Sequence, residues 1–175
     1  MPVSLHAATI PSMLQIIGAA KGWIAKAKAK AKAKDSALSE DELVNAKLIE
    51  DMLPFAYQIK SIAVHSKGAF EGVRKGVFSP DFSEPPSDFA GLLAVLEEAE
   101  SFLSGLTEDE VEGFIGQDMR FEIGEKRLDF TAEDFLLSFS QPNFYFHAVT
   151  AYDVLRAKGI PVGKIDYLGR MRLKS

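Results

Sequence analysis

Residues 131–159, TAEDFLLSFSQPNFYFHAVTAYDVLRAKG, constrain this chain more than any other stretch. Apolar residues recur at Phe135, Leu136, Phe139, Phe146, Val149, Val154 and Leu155, which is helical spacing and not the alternation of a strand. Thr131 predicts the N-cap, since its hydroxyl can accept a free N–H of the first turn, and Glu133 and Asp134 suit the positive end of the helix dipole. Gly159 predicts the left-handed residue after the last turn, and Pro161 blocks a restart. Such a helix would run about 40 Å at roughly 1.5 Å per residue. Pro142 lies in its middle, offers no N–H to the carbonyl of Ser138, and predicts a kink or break near 138–142. Ser138, Ser140 and Gln141 are placed to satisfy groups freed there.

Just beyond, Asn143, His147 and Thr150 fall at i, i+4 and i+7, with Ser140 one turn earlier. A solvent-facing stripe would more usually hold Lys and Glu. This one is expected to face inward or into a cleft, either as a satisfied buried network or as a pocket for a ligand or metal.

Three further helices are expected. Thr9 caps the first, with Pro11 in its first turn, behind a leader of residues 1–9. Its apolar stripe runs through Met13, Ile17, Ala20 and Ile24 and continues into an alternating Ala/Lys tract that ends near Asp35. Alternation would suit a strand, but Ala and Lys are strong helix formers, so a solvated helix end is expected. Ser39 with Glu42 forms a capping box before one long amphipathic helix reaching Val73, kinked or divided at Pro54. Asp51, Gln58 and His65 recur every seven residues along it. Asp51 and Gln58 are expected to face Asn143 and His147 across the core, and His65, beside Ser66 and Lys67, to lie at the surface. Residues 76–88 read as a loop, and Ser87 caps a third helix with Leu92, Leu96, Ala99 and Leu103 buried. Thr107 and Glu110 cap a short acidic helix through Ile115. Met119–Ile123 and Arg127–Phe130 predict a hairpin, and Val162, Ile165, Tyr167 and Leu168 an extended strap. The fold class is therefore all-α, an up-and-down four-helix bundle with a short hairpin before the last helix, as one domain over residues 1–175.

Composition limits the function classes. A chain of 175 residues with 47% hydrophobic content is long enough for one sizeable core. Zero Cys excludes disulfides, thiolate zinc sites and thiol catalysis, and fits a reducing compartment, so the cytoplasm is expected. A net charge of −5 gives no basis for nucleic-acid binding, and no apolar run is long enough for a membrane span. No phosphate-binding Gly-rich loop, GxSxG or HExxH is present.

The stretches LHAATIPSMLQIIGAAKGW (5–23), EDMLPFAYQI (50–59), FTAEDFLLSFSQPNFYFHAVTAYDVLRAKG (130–159) and VGKIDYLG (162–169) together carry a resemblance. The chain resembles the domain-of-unknown-function family nineteen-ninety-three, within the DinB/YfiT-like four-helix superfamily. The resemblance implies a four-helix bundle with a longer second connection, often a homodimer. Many relatives hold a divalent metal through three histidines, one from helix two and an HxxxH pair from the last helix. That pair falls here on Asn143 and His147, which leaves His147 as the surviving metal-ligand candidate, and an amide, an imidazole and a carboxylate would suit a hard cation or water better than zinc.

Two readings stay open. The first is a protein that binds a small molecule or divalent metal in a polar pocket formed by Asp51, Gln58, Asn143, His147 and Tyr152, with Tyr145 nearby and His147 as base or ligand. The second is a non-catalytic dimeric interaction protein whose polar stripe sets packing.

Overall fold

The computed structural model describes residues 3–34 and 37–174. Four long helices carry the core. Helix α1 spans Leu5–Ala31, α3 residues 55–75, α4 Phe89–Ser104 and α6 residues 132–157. Helix α1 packs on α4 and α6, and α3 packs on the same two, which closes a ring. Trp23, Phe55, Phe70, Phe89, Phe135 and Phe144 fill its interior and are fully buried.

Short elements complete the chain: α2 (Glu40–Val44), β1 (Val77–Phe78), α5 (Glu108–Glu112), β2 (Asp118–Ile123), β3 (Lys126–Thr131) and α7 (Lys164–Leu168). The expected hairpin is the β2–β3 pair, antiparallel, with Phe121 opposite Leu128. It has a third strand: β1 pairs parallel to β2, with Val77 opposite Arg120, from within the expected loop. The all-α expectation is thus corrected to a mostly helical chain with a three-stranded sheet. A two-residue strand has no periodicity to read.

Several helix ends differ from expectation. Ser4, not Thr9, caps α1, accepting from the Ala7 amide at 3.1 Å. Thr9 lies buried within the helix and donates to the Leu5 carbonyl at 2.7 Å. The Ala/Lys tract is helical to Ala31, and Asp35, its expected end, lies outside the described residues. It is not wholly solvated, since Ala27 is buried and Lys26 reaches Asp166 at 2.7 Å. The Ser39–Glu42 capping box is present. The helix it starts stops at Val44, however, and α3 begins only after Pro54, which sits extended at the N-cap position. Proline presets φ for a helix start and disfavours helical backbone in the residue before it, so the division falls there. Asp88 replaces Ser87 as the cap of α4, accepting from Gly91 at 2.7 Å.

Thr131 caps α6 as expected. Near Pro142 the helix neither breaks nor restarts. Phe135–Ser140 widens to π-helical winding, and Pro142 occupies the start of the α-helical run Gln141–Ala157. A π turn admits an extra residue and relieves the ring's clash with the preceding turn. Helix α3 carries a matching π segment at Val64–Gly68 between α-helical Phe55–Ala63 and Ala69–Lys75. The C-terminal strap is a short helix, α7, and not extended. Trp23 donates to the Asp166 carbonyl at 2.9 Å and its ring stacks on Tyr167 at 5.6 Å, while Ile165 is exposed. Among the described residues no helix is long and apolar enough to cross a membrane.

Candidate functional site

The site lies where α3 and α6 face each other. Gln58, on the first α-helical run of α3, is buried, and its Nε2 donates to the Leu53 carbonyl at 2.9 Å. That bond fixes the amide orientation and turns Oε1 toward His147, whose Nδ1 lies 2.7 Å away. An amide oxygen only accepts, so His147 carries its proton on Nδ1, and Nε2 keeps a free lone pair.

His65 joins the same site, which overturns its expected surface position. Its ring lies 5.6 Å from that of His147, with the two planes within 14° of parallel. Ser140, fully buried at the end of the α6 π segment, donates to the His65 carbonyl at 3.0 Å, and the same hydroxyl lies 3.5 Å from His65 Nδ1. With its one proton given to the carbonyl, Ser140 offers an acceptor to Nδ1–H, and His65 Nε2 also keeps its lone pair. Burial lowers the His65 pKa to about 4, with the neighbouring His147 adding to the shift. Burial alone lowers His147 to about 4. Both imidazoles are neutral at ordinary pH.

These rings line a cavity of about 230 Å³ with Tyr57, Ser61, Phe139 and Asn143. Pro80 and Asp81 of the 79–88 loop form its other side. Lys60 anchors that loop, donating to the carbonyls of Asp81 at 3.1 Å and Ser83 at 2.6 Å, and pairing with the Asp81 carboxylate at 3.1 Å. Burial works to raise the Asp81 carboxyl, but hydrogen bonds from Ser83 and Lys60 outweigh it and hold it below its ordinary value. A larger cleft of about 600 Å³ shares the wall of Val64, Phe78 and Asp81. Two of its three lysines are matched, Lys60 as above and Lys67 by Glu71 and Glu98 at 3.3 and 2.8 Å, and Lys75 also lines it.

The remaining expected residues divide. Gln58 and His147 meet. Asn143 lines the cavity, with Nδ2 donating to the Phe139 carbonyl at 2.7 Å, and Thr150 turns back on Phe146 at 2.8 Å. Asp51 does not take part: it is exposed in the turn before α3. Tyr152 belongs to another face, 6.0 Å from Trp23 and 5.7 Å from Tyr167. It follows His147 by five residues, roughly 140° around the helix at about 100° per residue. Tyr145 packs on Phe144 at 5.4 Å. His65 was the residue that sequence reasoning missed. Its seven-residue spacing from Gln58 was the available signal.

The donor set does not fit a three-histidine metal. Among the described residues no three His, Cys, Asp or Glu side chains gather around one point. The site supplies two imidazoles, an amide and hydroxyls.

A family model described as Domain of unknown function (DUF1993) matches residues 5–168. No curated protein matches the chain. A crystal structure of a DinB family member protein from Shewanella denitrificans is similar over 98% of this chain and 95% of that one, with 25% identity and a TM-score of 0.79.

Proposed function

The chain belongs to the DUF1993 family and shares its fold with a DinB family protein, and from that premise we propose that it binds a small uncharged or cationic molecule between α3 and α6. The observation that carries this reading is the hydrogen-bond chain Leu53–Gln58–His147, which leaves an unprotonated Nε2 on a ring that lines a cavity. The bond to Gln58 holds the ring in one tautomer, as an outer partner does for a working histidine. The neutral imidazole then accepts a hydrogen bond or a proton from what enters. Aromatic walls at Tyr57, Phe78 and Phe139 supply contact for an apolar body. No cysteine is present, which suits work in a reducing compartment such as the cytoplasm.

Titration with benzyl alcohol, followed by NMR of the histidine rings, tests the reading. Saturable shifts of the His65 and His147 signals, lost in His147→Phe, are expected. Ring signals unmoved by benzyl alcohol and by its charged analogues alike, up to the solubility of each, would refute it.

A second copy of the chain is the partner we propose. Phe146 and Val149, one turn apart on α6, are 57% and 43% exposed. An aromatic and a β-branched residue side by side on a helix surface favour a covered face. Sedimentation should show a dimer that Phe146→Glu dissociates. A monomer at all concentrations would remove this part.

A further inference from the structure

Resting on the pocket reading above, we infer that the molecule bound there is a primary amine, held as its ammonium ion, with an apolar body. The inference comes from what the cavity offers and what it lacks. Ser61 is 4% exposed and lines the cavity, and its hydroxyl has no hydrogen-bond partner among the described residues. Every fully buried side-chain polar atom among the described residues has a partner, so this unpaired hydroxyl is reachable from the cavity and not sealed in the core. Around the same space, His65 Nε2, His147 Nε2 and Asn143 Oδ1 are acceptors with no hydrogen-bond partner among the described residues, while the other polar atom of each is engaged. The Tyr57 hydroxyl likewise has none.

Acceptors therefore outnumber donors, since only the two hydroxyls and the second N–H of Asn143 Nδ2 can give a proton. A carboxylate or phosphate would meet lone pairs on three sides, with no free cation to offset them, since Lys60 is matched by Asp81 and Ser83. An ammonium group brings three N–H donors and no acceptor. It would also lie beside the rings of Phe139 and Phe78, aromatic surfaces of the kind that attract cations, and two imidazoles that carry no charge to repel it. The space of about 230 Å³ takes the charged group with one ring or a short chain.

Benzylamine, protonated at neutral pH, is the probe, compared by calorimetry and NMR with benzyl alcohol, benzoate and benzyltrimethylammonium on the full chain. We expect benzylamine to bind at least about tenfold tighter than each of the others, and Ser61→Ala to weaken it about tenfold through the lost acceptor. Asn143→Leu should do the same, so one poorly folded variant does not leave the question open. Benzyl alcohol binding with benzylamine no better would overturn the ammonium while the pocket reading stands. Equal binding of benzyltrimethylammonium would overturn the hydrogen-bonded head group, because that cation has no N–H. Silence of all four probes would sink both readings.

Discussion

Gln58 holds His147 across the α3–α6 interface with a 2.7 Å bond, and it is itself held by the Leu53 carbonyl at 2.9 Å. One side chain thus ties together the turn before α3, α3 and the last helix. Gln58→Leu removes both bonds and leaves the His147 Nδ1–H and the Leu53 carbonyl unpaired. The expected cost is about 1–3 kcal/mol for buried orphaned groups, read as a shifted urea midpoint. Gln58→Glu instead sets a carboxylate against Nδ1, which favours imidazolium, so the His147 pKa should rise from about 4. Ring NMR across pH 4–8 checks this, and a titration unchanged in Gln58→Glu would contradict the geometry.

Stability should fall on acidification before most carboxylates protonate. His65 and His147 each titrate at about 4 in the fold and at 6.5 when unperturbed. Between those values the unfolded chain binds more protons than the folded one, so stability rises with pH and is lost as pH drops from 6.5 toward 4. The steepest slope is about 1.4 kcal/mol per pH unit for each histidine. Carboxylates with lowered values, Glu42, Asp81, Glu133 and Asp166, act in the same direction but further down the scale. Unfolding at pH 6.5 and 5 isolates the histidines. His65→Asn and His147→Asn should each flatten the profile, and an already flat wild-type profile would count against burial of the pair.

How much of this was readable in the chain can be judged residue by residue. Thr131, Ser39 with Glu42 and the β2–β3 hairpin were readable, because caps and short turns are local chemistry. Gln58 facing His147 was readable from helical spacing on both strips. Asp51 was not, because the same spacing presumed a helix through Leu53 that Pro54 interrupts. His65 was hidden for the reverse reason. Its neighbours Ser66 and Lys67 look like surface text, yet Ser66 is buried and bonds to the Ile62 carbonyl at 2.7 Å. A π segment over Val64–Gly68 shifts which side chains point inward, and regular 3.6-residue counting does not register that. Backbone pairing in β1 left no mark because two residues carry no pattern.

The anchor on the 79–88 loop makes a separate expectation. Lys60 is 6% exposed, and its ammonium meets Asp81 and Ser83. Lys60→Met keeps the apolar stem but drops every one of these bonds. Amide exchange in residues 79–88 should quicken by about tenfold or more, with global stability lowered by about 1–3 kcal/mol. Unchanged exchange there would show that other contacts hold the loop.

Trp23 reports on the strap. It is the single tryptophan, fully buried, stacked on Tyr167 at 5.6 Å. Tyr167→Ala should let water reach the indole and shift its emission to longer wavelength without unfolding the chain. An emission maximum that stays in place would mean that α7 does not shield it.

The two π turns face each other, since Ser140 at the end of one bonds to the His65 carbonyl inside the other. Each amounts to one residue more than regular winding needs, and removing one residue turns everything beyond it by about 100°. Deleting a single residue from the α6 π segment would therefore swing His147 away from His65 and turn the buried Phe144, Ala148, Val154 and Leu155 with it. Core packing and pocket thus share one phase, which the two wide turns set for both.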